Sequence, residues 1–223
     1  MVNLRAPANL DGSDKGENVV ADLEKLKIKV NPEHTALVIV DMQRDYCCEG
    51  GVFEKMGFGL EAPKLLASRL NEFLNKVRPV LKFIVHIKME LNPHLRSSAL
   101  AEHYERVGLQ REHDSSFSQF YGVDPKEGEI IIPKYRYSAF VSTYLDQYLR
   151  SNRISTLILV GLATNVCLES TARDGFMKDY HIVVPKDMTE GTSDEAKKWS
   201  LFNIGTFFGE VVNSKDLLIA WEI

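Results

Sequence analysis

The chain has 223 residues, 44% of them hydrophobic and 26% charged, which suits one folded domain with a sizeable core and excludes a largely disordered chain. Lysine and arginine number 27 against 31 aspartate and glutamate, a net charge of −4 with no dense basic run, so the expected partner is a small molecule, with no nucleic acid and no membrane. The longest apolar runs, such as 36–40 and 157–160, fall far short of the roughly 20 residues that a bilayer crossing takes.

Residues 1–33 are polar and patchily charged and read as an N-terminal extension, with one apolar-spaced stretch at 19–30 suited to docking on the body or on a neighbouring subunit. The first 20 residues lack the basic start and apolar centre of a secretory signal, so a cytoplasmic location is expected. Residues 34–223 read as a single domain. From Thr35 onward, short β-branched runs alternate with longer segments of helical period, the signature of βα units around a parallel sheet, hence an α/β fold.

Strands are predicted at 36–41, 83–88, 129–132, 156–161, 182–184 and 210–212. Helices are predicted at 61–78, 143–152, 165–180 and 193–206; in the first, Leu65, Leu66, Leu70, Phe73, Leu74 and Val77 form one apolar stripe. Residues 89–128 form an excursion longer than an ordinary connection, of the kind that builds a lid or binding wall. The last segment, "LLIAWEI", offers apolar residues that, if exposed, would fit a homo-oligomer.

Three cysteines, Cys47, Cys48 and Cys167, cannot all pair, and free thiols in a reducing compartment are the simplest account. The six histidines show no HExxH and no paired short spacing, and neither GxGxxG nor GxxxxGK[ST] is present, so no metal, nucleotide or other cofactor is expected. His86, inside the second strand, reads as a core histidine or a pocket wall.

Ligands of open parallel sheets bind beyond the carboxyl ends of the strands. Three reactive side chains fall there: Asp41 closing "TALVIVD", Lys134 closing "EIIIPK", and Cys167 after "LILVGLATNV". Each has a plain structural alternative: a buried small residue for Cys167, a turn former for Asp41, a solvated strand end for Lys134. Together they make a nucleophile, a base and a cation, and a helix start at Cys167 would favour a thiolate.

The segments "ALVIVDMQRDY" (36–46), "IIIPKYRYSAF" (130–140) and "GLATNVCLESTARDGF" (161–176) resemble, in order, the motifs of the isochorismatase-like cysteine hydrolases, and the likeness runs from about residue 34 to 221. The resemblance implies a three-layer α/β/α sandwich on a six-stranded, mainly parallel sheet of order 3-2-1-4-5-6. It implies a Cys–Asp–Lys triad at Cys167, Asp41 and Lys134, a cis peptide between Leu162 and Ala163, and an oxyanion hole formed by the amides of Ala163 and Cys167. It further implies an amidohydrolase that forms a thioester, and homo-oligomers. Within the family the chain looks most like members that cleave ureido and N-carbamoyl compounds; biuret, N-carbamoyl amino acids and nicotinamide are the alternative substrates, and a non-catalytic binding protein on this fold is the alternative class. Gln43, Tyr46, Lys88 and Tyr137 are the candidate substrate-binding residues, and Arg136 is a further candidate for a substrate carboxylate. The loop "CCEGGVFEKMG" has no histidine where the nicotinamidase branch has a metal site, which disfavours nicotinamide.

Overall fold

The computed structural model of the protein describes residues 17–95, 97–109 and 116–223. Its strands are β1 (Thr35–Val40), β2 (Phe83–Met89), β3 (Ile130–Lys134), β4 (Thr156–Leu162), β5 (His181–Pro185), β6 (Thr189–Glu190) and β7 (Glu210–Val212). Among the described residues the strands pair in parallel as β3-β2-β1-β4-β5-β7, and β6 adds beside β4. All six strands read from the sequence form, in the expected order. The seventh, β6, is two residues long and too short to carry a periodic signal.

The helices are α1 (Glu17–Lys29), α2 (Arg44–Cys47), α3 (Val52–Lys55), α4 (Glu61–Val77), α5 (Ser98–Arg106), α6 (Leu145–Ser151), α7 (Glu169–Met177), α8 (Asp194–Asn203) and α9 (Ser214–Ala220). β1 reads "TALVIV" and is buried throughout because helices cover both faces of the sheet. Alternation along the strands sorts the core into two layers. Leu37, Ile39, Ile158 and Val160 meet Leu66, Leu70, Phe73 and Leu74 of α4 on one face. Ala36, Val38, Leu157 and Leu159 meet Leu145 and Leu149 of α6 and Ala172 of α7 on the other. Each fully buried leucine contributes about 1.5–3 kcal/mol to this sandwich.

Several helices differ from their predicted extents. The 165–180 segment begins as a π-helical turn, Thr164–Leu168, before α7, and the 193–206 segment ends in another, Ile204–Phe208, after α8. The 143–152 helix starts later because the Thr143 hydroxyl bonds to Ala139 O at 2.5 Å and accepts from Leu145 N at 3.2 Å, closing a turn ahead of the helix. Leu65, placed on the α4 stripe by periodicity, faces solvent. The 89–128 excursion holds α5, started by Ser97 accepting from Leu100 N at 3.1 Å; residues 96 and 110–115 of it lie outside the described residues.

The described part of the N-terminal extension docks on the body. Leu26 and Val30 join the core beside Leu217 and Trp221, and the Trp221 indole donates to Val30 O at 2.8 Å. Leu217, Ala220 and Trp221 of the last segment are therefore buried, and of its apolar residues only Ile219 and Ile223 are exposed. Residues 1–16 of the extension lie outside the described residues. Among the described residues no helix is long and apolar enough to cross a membrane.

Candidate active site

Successive connections leave β1 toward β2 and leave β4 toward β5, so the chain diverges between the adjacent strands β1 and β4, the place where open α/β sheets bind ligands. Asp41 follows β1 there and Cys167 follows β4. Lys134 ends β3, two strands away from β1, a separation of about 9.5 Å that only a long side chain bridges. Its ammonium reaches Asp41 Oδ2 at 2.7 Å and the Tyr137 carbonyl at 2.7 Å, and it also engages the Cys167 sulfur, which in turn engages the Asp41 carboxylate. The three side chains the sequence singled out thus form one cluster.

That cluster is buried. Lys134 is 0% exposed and Asp41 1%. Burial works against the ammonium, yet the negative Asp41 and the Cys167 sulfur outweigh it and hold the lysine above its ordinary value. Burial pushes the Cys167 thiol up to about 12, with Lys134 opposing and Asp41 adding to the rise. The resting group is therefore a thiol beside a carboxylate–ammonium pair. The sequence expectation of a helix-start thiolate does not hold at rest, because Cys167 sits in the π-helical turn ahead of α7 and desolvation dominates. Deprotonating that thiol would take a base, and the Asp41 carboxylate is the acidic group beside it.

Local structure explains why the groups converge. Asp41 adopts φ +52°, a left-handed conformation that Asp tolerates better than most residues, and this turns its carboxylate out of the strand alternation. Gly161, at φ +108°, passes so close to β1 that a Cβ would sit 2.2 Å from Val40 O; no larger residue fits beside Asp41. The peptide between Leu162 and Ala163 is cis, as the resemblance implied. Below it the Thr189 hydroxyl donates to Gly161 O at 2.9 Å and meets the Thr164 hydroxyl at 2.7 Å, while Ser200 donates to Thr164 O at 2.9 Å. The Thr171 hydroxyl donates to Cys167 O at 2.7 Å and accepts from Ala139 N at 3.0 Å. These hydroxyls carry little sequence signal, apart from the place of Thr171 four residues past Cys167, on the same helical face.

The candidate substrate-binding residues divide. Gln43 is fully buried and its carboxamide donates to Met89 O and Ser118 O, both at 2.9 Å, and accepts from Met89 N at 2.8 Å, so both its N–H groups are engaged by backbone. It clamps the end of β2 and the 116–121 strip, which runs antiparallel to the loop after β1, to the segment carrying Asp41. Tyr46 is buried edge-on against Phe53. Met89 pairs with Lys134 in register, so alternation sends Lys88 to the opposite face, where its ammonium meets Glu90 at 3.1 Å and lies over the Phe120 ring. Tyr137 supplies the carbonyl that holds Lys134, and Arg136 donates to Leu95 O at 3.0 Å and Tyr135 O at 2.6 Å. His86 is fully buried and bonds Glu129 at 2.7 Å, which also accepts from Arg78 at 2.7 Å; it is a core histidine.

A model of the isochorismatase domain matches residues 35–216, which span the sheet, the excursion and all three reactive side chains. The chain belongs to the isochorismatase family. Among curated relatives of this isochorismatase-family protein, the ureidoacrylate amidohydrolase RutB of Pantoea ananatis is 33% identical over 225 residues, covering 93% of this chain and 88% of the relative. The enzyme of that name from an Enterobacter species is 37% identical over 202 residues, covering 83% and 88%. Among solved structures, a cysteine hydrolase from Pseudomonas syringae superposes with a TM-score of 0.75 at 24% identity, covering 87% of this chain and 95% of that one. An isochorismatase-like hydrolase from Alkaliphilus metalliredigens gives 0.68 at 26%, covering 84% and 97%. The nicotinamidase PncA of Bacillus subtilis gives 0.67 at 21%, covering 81% and 99%, a likeness of fold.

Proposed function

We propose that this protein is a cysteine-dependent amidohydrolase that cleaves a C–N bond of a small ureido or N-carbamoyl compound, with ureidoacrylate the foremost substrate. The observation that carries the reading is the buried Asp41–Lys134 pair against the Cys167 thiol. A buried ion pair seldom adds stability over well-packed apolar residues, so a chemical role accounts for it better than a structural one. The names of the curated relatives supply the substrate class.

In this scheme the sulfur of Cys167 attacks the carbonyl carbon while its proton passes to Asp41. Lys134 holds the carboxylate and the sulfur in register and offsets the charge that develops on sulfur. The amides of Ala163 and Cys167, in one turn after β4, are the candidate donors to the carbonyl oxygen. Asp41 then returns the proton to the leaving nitrogen as the C–N bond breaks, leaving a carbamoyl thioester. Water adds to the thioester carbon and gives a proton to Asp41; the C–S bond breaks and sulfur recovers that proton. No cofactor is required by these steps.

Tyr137 and Tyr46 are proposed as walls of the substrate site, whereas Lys88, on the opposite face and paired with Glu90, is not assigned to it. Gln43 is assigned to positioning, its N–H groups being occupied. The three free cysteines suit a reducing, cytoplasmic setting, and exposed Met177, Trp199 and Phe207 suit a homo-oligomer.

The test is release of ammonia or amine from ureidoacrylate, N-carbamoyl amino acids, biuret and nicotinamide. Preference for ureidoacrylate is expected; preference for another N-carbamoyl compound would overturn the substrate, and absence of turnover on all four would favour a binding protein.

A further inference from the structure

The proposed chemistry needs Lys134 and Cys167, which arrive on different strands, to hold a fixed separation. We propose that Thr171 is the positioning residue that sets this separation. The inference rests on the nucleophile reading above and concerns a group that does not touch the reacting atoms.

Thr171 lies on α7 and is fully buried. Its hydroxyl has one proton, and a carbonyl can only accept, so the bond at 2.7 Å to Cys167 O takes that proton. The lone pairs are then left for the Ala139 amide, at 3.0 Å. One oxygen therefore ties the backbone of the nucleophile to the 135–140 loop. Two residues back in that loop, the Tyr137 carbonyl accepts from Lys134 at 2.7 Å. Lys134 closes the circuit onto Asp41 at 2.7 Å and onto the Cys167 sulfur.

A lysine ammonium has three N–H groups, and here they are shared among the Tyr137 carbonyl, the Asp41 carboxylate and the sulfur. Tyr137 O is the contact that involves no reacting group, so the place of that carbonyl aims the other two. Loss of the Thr171 bond frees Ala139 N from α7 and leaves the short arc that carries Tyr137 O to its local bonds, Thr143 to Ala139 O and Phe140 N to Ser138. Threonine suits the task because its hydroxyl reaches the carbonyl four residues earlier on a helix while its methyl fills the core. Valine keeps the shape and removes both bonds; serine keeps both bonds and loses the methyl.

The experiment follows the rate of iodoacetamide alkylation at Cys167 against pH, resolved from Cys47 and Cys48 by peptide mass spectrometry, with thermal melting on the same samples. It compares the native chain with Thr171→Val, Thr171→Ser and Thr156→Val. Thr156 is an equally buried threonine at the opposite end of β4, where its hydroxyl donates to Lys29 O at 2.7 Å, and it controls for loss of a buried hydroxyl bond. Thr171→Val is expected to slow alkylation about tenfold at each pH between about 7 and 9, the consequence of one unit of displacement in a thiol that titrates well above that range. Thr171→Ser should keep the native rate at each pH, and Thr156→Val should lower the melting temperature alone. If Thr171→Val melts earlier but keeps the native alkylation rate, Thr171 is only structural and the inference falls while the nucleophile reading stands. If turnover survives in Cys167→Ala, the nucleophile reading falls and the positioning role falls with it.

Discussion

Two buried charged clusters sit at opposite ends of β3, about 16 Å apart along the strand. Glu129, just before the strand, accepts from Arg78 at 2.7 Å, from Lys126 N at 2.9 Å and from His86 at 2.7 Å. Lys134, at its end, meets Asp41, Tyr137 O and the Cys167 sulfur. The first carboxylate is held by several donors that nothing consumes, and Arg78 and the Lys126 amide, among others, carry it down to about 2 against the opposing effect of burial. The second shares its cation with a thiol and is placed to gain and lose a proton. The same chemistry of burial and pairing gives a brace in one case and, on the function proposed above, a reaction centre in the other. The difference lies in the thiol that shares the second cluster.

The largest effects should come from breaking the Asp41–Lys134 pair. Asp41→Asn leaves a buried ammonium and Lys134→Met a buried carboxylate, and each is expected to cost about 3–5 kcal/mol in urea unfolding. The double variant should recover much of that stability, yet all three should lose about 10³-fold in turnover. A double variant as unstable as the sum of its parents would contradict the account of the pair. Breaking the brace sharpens the contrast: Arg78→Ala should cost about 1–3 kcal/mol while the folded enzyme turns over at close to the native rate.

The smallest effect is in pH. Burial lowers the His86 pKa from its ordinary 6.5, so the unfolded chain binds the proton more readily and stability falls as pH drops below about 6.5. Glu129 lies at about 2 against an ordinary 4.5, so the stability it contributes is present above about 4.5 and is lost as pH falls toward 2. Melting temperature should therefore fall in two stages on acidification, and Glu129→Gln should flatten the lower one. An unchanged lower stage in that variant would place the acid sensitivity elsewhere.

Much of this site was legible in the chain because strand ends can be read from short apolar runs. Asp41, Lys134 and Cys167 each close or follow such a run, and the parallel topology does the rest. Thr171 was not legible, since its partner Ala139 is 32 residues away and nothing in a threonine's spacing announces a bond across a loop. Gln43 reads as a substrate contact because it lies on the loop after β1; that its amide turns inward to Met89 depends on β2 ending beside it. The parts of the π-helical turns that fall at 165–168 and 204–206 read as ordinary helix in the sequence, because one added residue in a turn shifts apolar spacing too little to break the pattern. Lys88 reads as a strand-end cation like Lys134, and only the register with β3 shows that the two face opposite sides.

The central claim is that Cys167 forms a covalent bond to the substrate carbonyl. Native protein mixed with ureidoacrylate, quenched in acid and mapped by peptide mass spectrometry tests it directly. The account predicts one carbamoyl group on the peptide containing Cys167, formed before steady-state turnover and missing from Cys167→Ala, which should be inactive. Turnover by Cys167→Ala at the native rate, with no adduct on that peptide in the native chain, would contradict it.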